Sequence, residues 1–78
     1  MALYDEIKDM IIEAVSLDES VIVPEAHLQD DLGADSLAIL NLAEEISTRY
    51  GIDLQGDDIV DVENVSELVK LVASKMSQ

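Results

Sequence analysis

The side chains that invite a chemical reading are a serine at the edge of an acidic segment, Ser36, and the single histidine, His27. A serine nucleophile on a sharp strand-to-helix turn sits in a Gly-x-Ser-x-Gly context. Here the chain reads Gly33-Ala34-Asp35-Ser36-Leu37-Ala38, with no glycine two residues to either side. A Ser-His-Asp triad would depend on His27 alone, and His27 lies in a polar loop where a solvated imidazole is the ordinary outcome. No Gly-rich, Lys-bearing phosphate loop is present. Carboxylates number 18, so any one pair is uninformative as an acid/base couple. A calcium loop wants acids at positions 1, 3 and 5, glycine at 6 and glutamate at 12. Starting at Asp30, position 3 is Leu32; starting at Asp53, position 6 is Asp58. The Asp57, Asp58, Asp61 and Glu63 group reads either as a weak cation site that relieves charge or, preferably, as a solvated helix-capping face. No metal site is expected.

Ser36 keeps two readings on local pattern. It lies where the acidic segment meets an amphipathic stretch, with Asp35 before it as a good N-cap. It is either part of a cap or a modification site at the first helical position, with its hydroxyl toward solvent. Leu37 and Leu40 add a second clue. At about 100° per residue, Leu37 projects about 160° from Ile39, and Leu40 about 100°. Both lie off the core stripe with Asn41 and Glu44, and two such leucines beside a candidate serine suggest a partner surface. Alternatively, Leu40 tucks against the preceding loop.

The elements that must position these residues follow from periodicity. Residues 3–17 read as an amphipathic helix, with Leu3, Ile7, Met10, Ile11, Ala14 and Val15 on one face. A long connection, 18–34, holds the only proline, Pro24, and five acids without a base; Ile22, Leu28 and Leu32 should pin it to the core. Residues 36–50 form a second helix with a stripe of Ile39, Leu42, Ala43, Ile46 and Tyr50, stopped by Gly51. Residues 56–62 have room for one or two turns. Asn64 caps a last helix, with Glu67 in a capping-box-like position and Val65, Leu68, Val69, Val72 and Met76 facing inward. No period-two alternation calls for a sheet. The fold class is all-α: a small four-helix bundle of three main helices and one short helix, with a long first loop, forming one domain over 1–78.

Composition narrows the function classes. The formal charge is −14, while 49% of the residues are hydrophobic. That aliphatic content sets the chain apart from a disordered acidic tail. The charge excludes a phosphate backbone or an anionic membrane surface as partner and suits basic proteins. With no cysteine there is neither a disulfide framework nor a thiolate metal site. The first residues lack a basic and apolar leader pattern, and the longest apolar run is four residues, Leu37 to Leu40, so a cytoplasmic monomer is the expectation.

The run Asp31-Leu32-Gly33-Ala34-Asp35-Ser36-Leu37 resembles the phosphopantetheine attachment motif of acyl carrier proteins. It sits where that family places it, after a long first loop and at the head of the second helix. Length, acidity and helix pattern agree over nearly the whole chain. The resemblance implies that Ser36 receives 4′-phosphopantetheine from coenzyme A through a phosphopantetheinyl transferase. It implies that Asp35 helps orient that enzyme's metal and coenzyme, and that acyl groups ride as thioesters on the arm. The protein would then be a carrier rather than an enzyme. Its partners would be acyl-synthesising and acyl-transferring enzymes with basic docking patches, meeting Asp31, Leu37, Leu40, Asn41 and Glu44. Many fatty-acid carriers have acids along the second helix where this chain has Ala38, Asn41, Ser47 and Thr48, with a base at Arg49. The Asp-Ser-Leu-Ala run with Arg49-Tyr50-Gly51 also resembles carriers of polyketide or other dedicated pathways. The Gly33-Ala34-Asp35 context argues against peptidyl and D-alanyl carriers. By the same resemblance, Leu42, Ile46, Ile59, Val62 and Leu68 would part to shelter an acyl chain. A cofactor-free acidic module binding a basic protein is the alternative. A small hydrolase using Ser36 would lack both a base and an oxyanion hole.

Overall fold

A computed structural model describes residues 2–77, and four α-helices account for most of them. They are α1 (Leu3–Val15), α2 (Ser36–Tyr50), α3 (Gly56–Val60) and α4 (Val65–Met76). No strand occurs among the described residues; one isolated antiparallel bridge joins His27 to Asn64. The architecture is the expected all-α bundle, with three main helices and a short fourth.

Helix α1 turns Ile7, Met10 and Ile11 into the core. It ends at Val15, two residues before the periodicity predicts, because Ser16 adopts a left-handed conformation (φ +56) and its N–H closes the last turn on Ile12. Helix α2 starts and stops where the local signals put it. The Asp35 carboxylate accepts from the Ala38 N–H at 2.9 Å, satisfying a free donor of the first turn. At the other end Gly51 takes φ +64, a region where a side chain would be strained. Asn64 caps α4 by accepting from the Glu67 N–H. The reciprocal bond from Glu67 goes one residue further back, to the Glu63 N–H, rather than to the cap itself. In α3, too short to persist alone, a capping box links Gln55 and Asp58, and Ile59 is buried.

One aliphatic core joins the helices: Ile7, Met10, Ile11, Ile39, Leu42, Ala43, Ile46, Ile59, Val65, Leu68 and Val72 are all buried. Val69 is half-buried, but Met76 is 46% exposed rather than inward, and the last turn of α4 holds no buried residue. The first loop is pinned by buried Ile22, Leu28 and Leu32, as expected. It is more ordered than its composition suggests. A 3₁₀ turn spans Glu19–Val21, capped by the Asp18 carboxylate. Further on, the loop is stitched to the head of α4: the Val65 N–H donates to the Ala26 carbonyl at 3.1 Å, and the Ser66 N–H to Pro24 at 2.9 Å.

Candidate functional site

Ser36 is the first residue of α2 and is exposed. The Asp35 cap fixes the direction in which the helix leaves the loop. With Asp35 capping, the Ser36 hydroxyl is not needed for that role, and it makes no hydrogen bond to another described residue. The acidic loop arrives through a helical turn over residues 28–32, followed by Gly33 and buried Ala34, whose N–H donates to the Leu28 carbonyl at 3.0 Å. Asp31, expected at the partner surface, is exposed, but one of its carboxylate oxygens already accepts from the His27 N–H at 2.8 Å. His27 itself is half-buried and hydrogen-bonded through its ring, not simply solvated.

Leu37 and Leu40 are 66% and 57% exposed, as the helical angles predict. Leu40 does not tuck against the first loop; it lies over the start of α3. A Cβ placed on Gly56 would come within 2.8 Å of Leu40 Cδ2, so glycine there permits the close approach. Sequence reasoning gave no sign of this pairing, which arises only when α2 and α3 meet. Beside it, an open groove of about 230 Å³ is lined by Ser36, Ile39, Leu40, Gly56, Asp57 and Val60. Val60, 51% exposed, extends the apolar surface that Leu37 and Leu40 begin. Asn41 and Glu44 are exposed and share a shallow depression on the outer side of α2 with Glu45, Thr48 and Arg49. Among the described residues no three His, Asp or Glu side chains group as metal ligands. Asp58, one of the acids weighed for a cation, instead caps α3 and lies 4.0 Å from Lys75 Nζ.

The arrangement at Ser36 differs from a Ser-His-Asp triad. The one imidazole, His27, is hydrogen-bonded through Nδ1 within its own turn. What the arrangement offers is a free primary hydroxyl at a helix N-terminus, where backbone N–H groups and the dipole favour a phosphate. An open, partly apolar groove lies alongside for a slender substituent. Those features fit a phosphopantetheine arm.

Comparison with known proteins agrees. A family model described as a phosphopantetheine attachment site matches residues 5–72. An acyl carrier protein of Thermotoga maritima is 31% identical over 74 residues, covering 95% of this chain and 91% of that protein. A covalently bound 4′-phosphopantetheine is the cofactor of such chains. With the matched region running from α1 into α4 and across the motif at the head of α2, the chain belongs to the acyl carrier protein family.

Proposed function

We propose that Ser36 is the attachment point of the phosphopantetheine arm, and that the chain, one carrier domain over 1–78, presents acyl groups to successive enzymes. The observation that carries this is the exposed Ser36 hydroxyl, without a hydrogen-bond partner among the described residues, at the N-terminus of a helix already capped by Asp35. The arm supplies a terminal thiol for thioester attachment. The chain's own residues position it: the cap sets the angle of α2, and Leu37, Leu40 and Val60 form an apolar surface around its base. Asp35 and Asp31 supply negative charge to the transferase, and Asn41 and Glu44 extend the contact along α2. The protein performs no catalysis itself. Tethering raises the local concentration of the acyl group at each partner. Complementary charge speeds encounter with basic patches without requiring tight binding. The work is done in the cytoplasm, by a monomer.

The pathway reading favours dedicated acyl or polyketide synthesis over general fatty-acid synthesis. Its support is the outer face of α2, where Asn41 and Thr48 stand and Arg49 is the one base. A further part of the reading is that the core residues Leu42, Ile46, Ile59 and Leu68, with half-buried Val62, part to shelter an acyl chain.

The decisive test is incubation with coenzyme A and a broad-specificity phosphopantetheinyl transferase, followed by mass spectrometry. Wild type should gain one phosphopantetheine and Ser36→Ala none. An unmodified wild type would remove the carrier reading, and a modified Ser36→Ala would remove the site.

A further inference from the structure

The turn before Ser36 is held by His27, a residue the carrier role leaves unused. Its Nδ1 accepts from the backbone N–H groups of Gln29 at 3.2 Å and Asp30 at 3.1 Å. In return the His27 N–H donates to Asp31 Oδ2 at 2.8 Å. This is a variant of the capping box, with histidine in the place usually held by serine or threonine and the reciprocal carboxylate one residue later, at Asp31. The His27 carbonyl accepts from the Asp31 and Leu32 N–H groups, and the Gln29 carbonyl from Gly33. The exit of the turn, through Gly33 (φ +67) and buried Ala34, leads straight into Asp35 and Ser36.

Histidine can act this way only as the neutral ring with its proton on Nε2, because Nδ1 must present a lone pair. Imidazole is the side chain that changes charge between about pH 5 and 8. Once protonated, Nδ1 is a donor facing two donors, and the cap is lost. Asp30 Oδ2 lies 3.8 Å from Nδ1, and Asp31 is on the same turn. Glu63 and Glu67 belong to the α4 entry that the bridge between His27 and Asn64 brings alongside. They attract the cation, but none restores the acceptor that protonation removes.

We propose that His27 is a positioning residue for modification at Ser36. As the neutral ring it caps the turn that delivers Ser36, and as the cation it releases that turn. The functional half of this proposal rests on Ser36 being the attachment site; the cap does not.

The test compares wild type, His27→Asn and His27→Ala between about pH 5.5 and about pH 8. Two quantities are followed: hydrogen exchange of the Gln29 and Asp30 amides, and the rate of phosphopantetheine transfer by a broad-specificity transferase. Asparagine caps well and does not titrate; alanine does not cap. Wild-type amide protection should match His27→Asn at high pH. It should fall about fivefold toward His27→Ala at low pH, the size expected of one cap. The transfer rate of wild type relative to His27→Asn should fall over the same range, a ratio that cancels the transferase's own pH response. Wild-type protection parallel to His27→Asn at every pH would overturn the cap. Falling protection with a flat transfer ratio would overturn the positioning role. Absence of transfer to wild type at high pH would overturn the Ser36 reading and the positioning role with it, while amide exchange would still decide the cap.

Discussion

Tyr50 ties the end of α2 to the start of α1 through one hydrogen bond, its hydroxyl donating to Glu6 Oε1 at 2.8 Å. Burial raises the phenol's pKa first, and the hydrogen bond and charge of Glu6 raise it further, up to about 12, against an opposing pull from Arg49. A raised value means that the folded state holds the proton more tightly than the unfolded chain. The resulting stability is fully present below about pH 10 and is lost as pH climbs through about 12. Tyr50→Phe should therefore melt lower than wild type at neutral pH, and the gap should narrow above about pH 10. Circular dichroism melts across that range check this, and parallel curves would refute it. Side chains that act through local hydrogen bonds differ in how well sequence announces them. Asp35 and Asn64 are among the usual capping residues and stand directly before periodic runs, so their roles are legible. His27 caps its turn as well, but histidine is not a residue that marks caps, so sequence left it as a solvated loop side chain.

At the scale of elements, legibility follows locality. The bounds of α2 and the start of α4 were readable because cap and stripe, and for α2 the Gly51 stop, lie within one segment. The 3₁₀ turn at Glu19–Val21 and the turn at 28–32 were not, because neither is long enough to show a period. The seating of Leu40 over Gly56 depends on how two helices meet, which no local pattern contains. Helix α3 is the least self-sufficient of the four α-helices, with five residues and one buried side chain, Ile59. Short elements with little burial open at low cost. If the core shelters an acyl chain as proposed, the seam between α2 and α3 is the expected point of entry. On loading Ser36 with a long-chain acyl arm, the methyl NMR signals of Leu42, Ile46, Ile59 and Leu68 should shift relative to the unacylated arm. Unchanged signals would place the chain outside.

Across the whole molecule, the charge of −14 is distributed unevenly. Residues 18–35 hold six acids and no base, and 57–67 hold five acids and no base. Residues 36–55 hold three acids and one base. The helix that bears Ser36 thus lies in the least acidic of these three stretches, a net −2 over residues 36–55, between two strongly acidic flanks. Like charges at such density oppose folding, and few internal ion pairs offset them: Lys8 with Glu19 and Lys75 with Asp58 join helix to loop and helix to helix. Salt shortens the reach of this repulsion. Added sodium chloride should raise the melting temperature, by about 4–8 °C for each ~1 kcal/mol recovered, and a magnesium salt at equal ionic strength should do at least as well. A flat or falling melting temperature would show that repulsion does not limit stability.

The stitches between the first loop and α4 run from backbone to backbone, Val65 to Ala26 and Ser66 to Pro24. Main-chain atoms are common to nearly every amino acid, so a lineage descending from this sequence can exchange the side chain at Ser66 or Pro24 without undoing them. The exception is proline at 65 or 66. Proline is ordinarily welcome in the first turn of a helix, where its missing N–H is not needed. Here that N–H is in use, and so evolution is closed to a substitution that helix openings elsewhere accept.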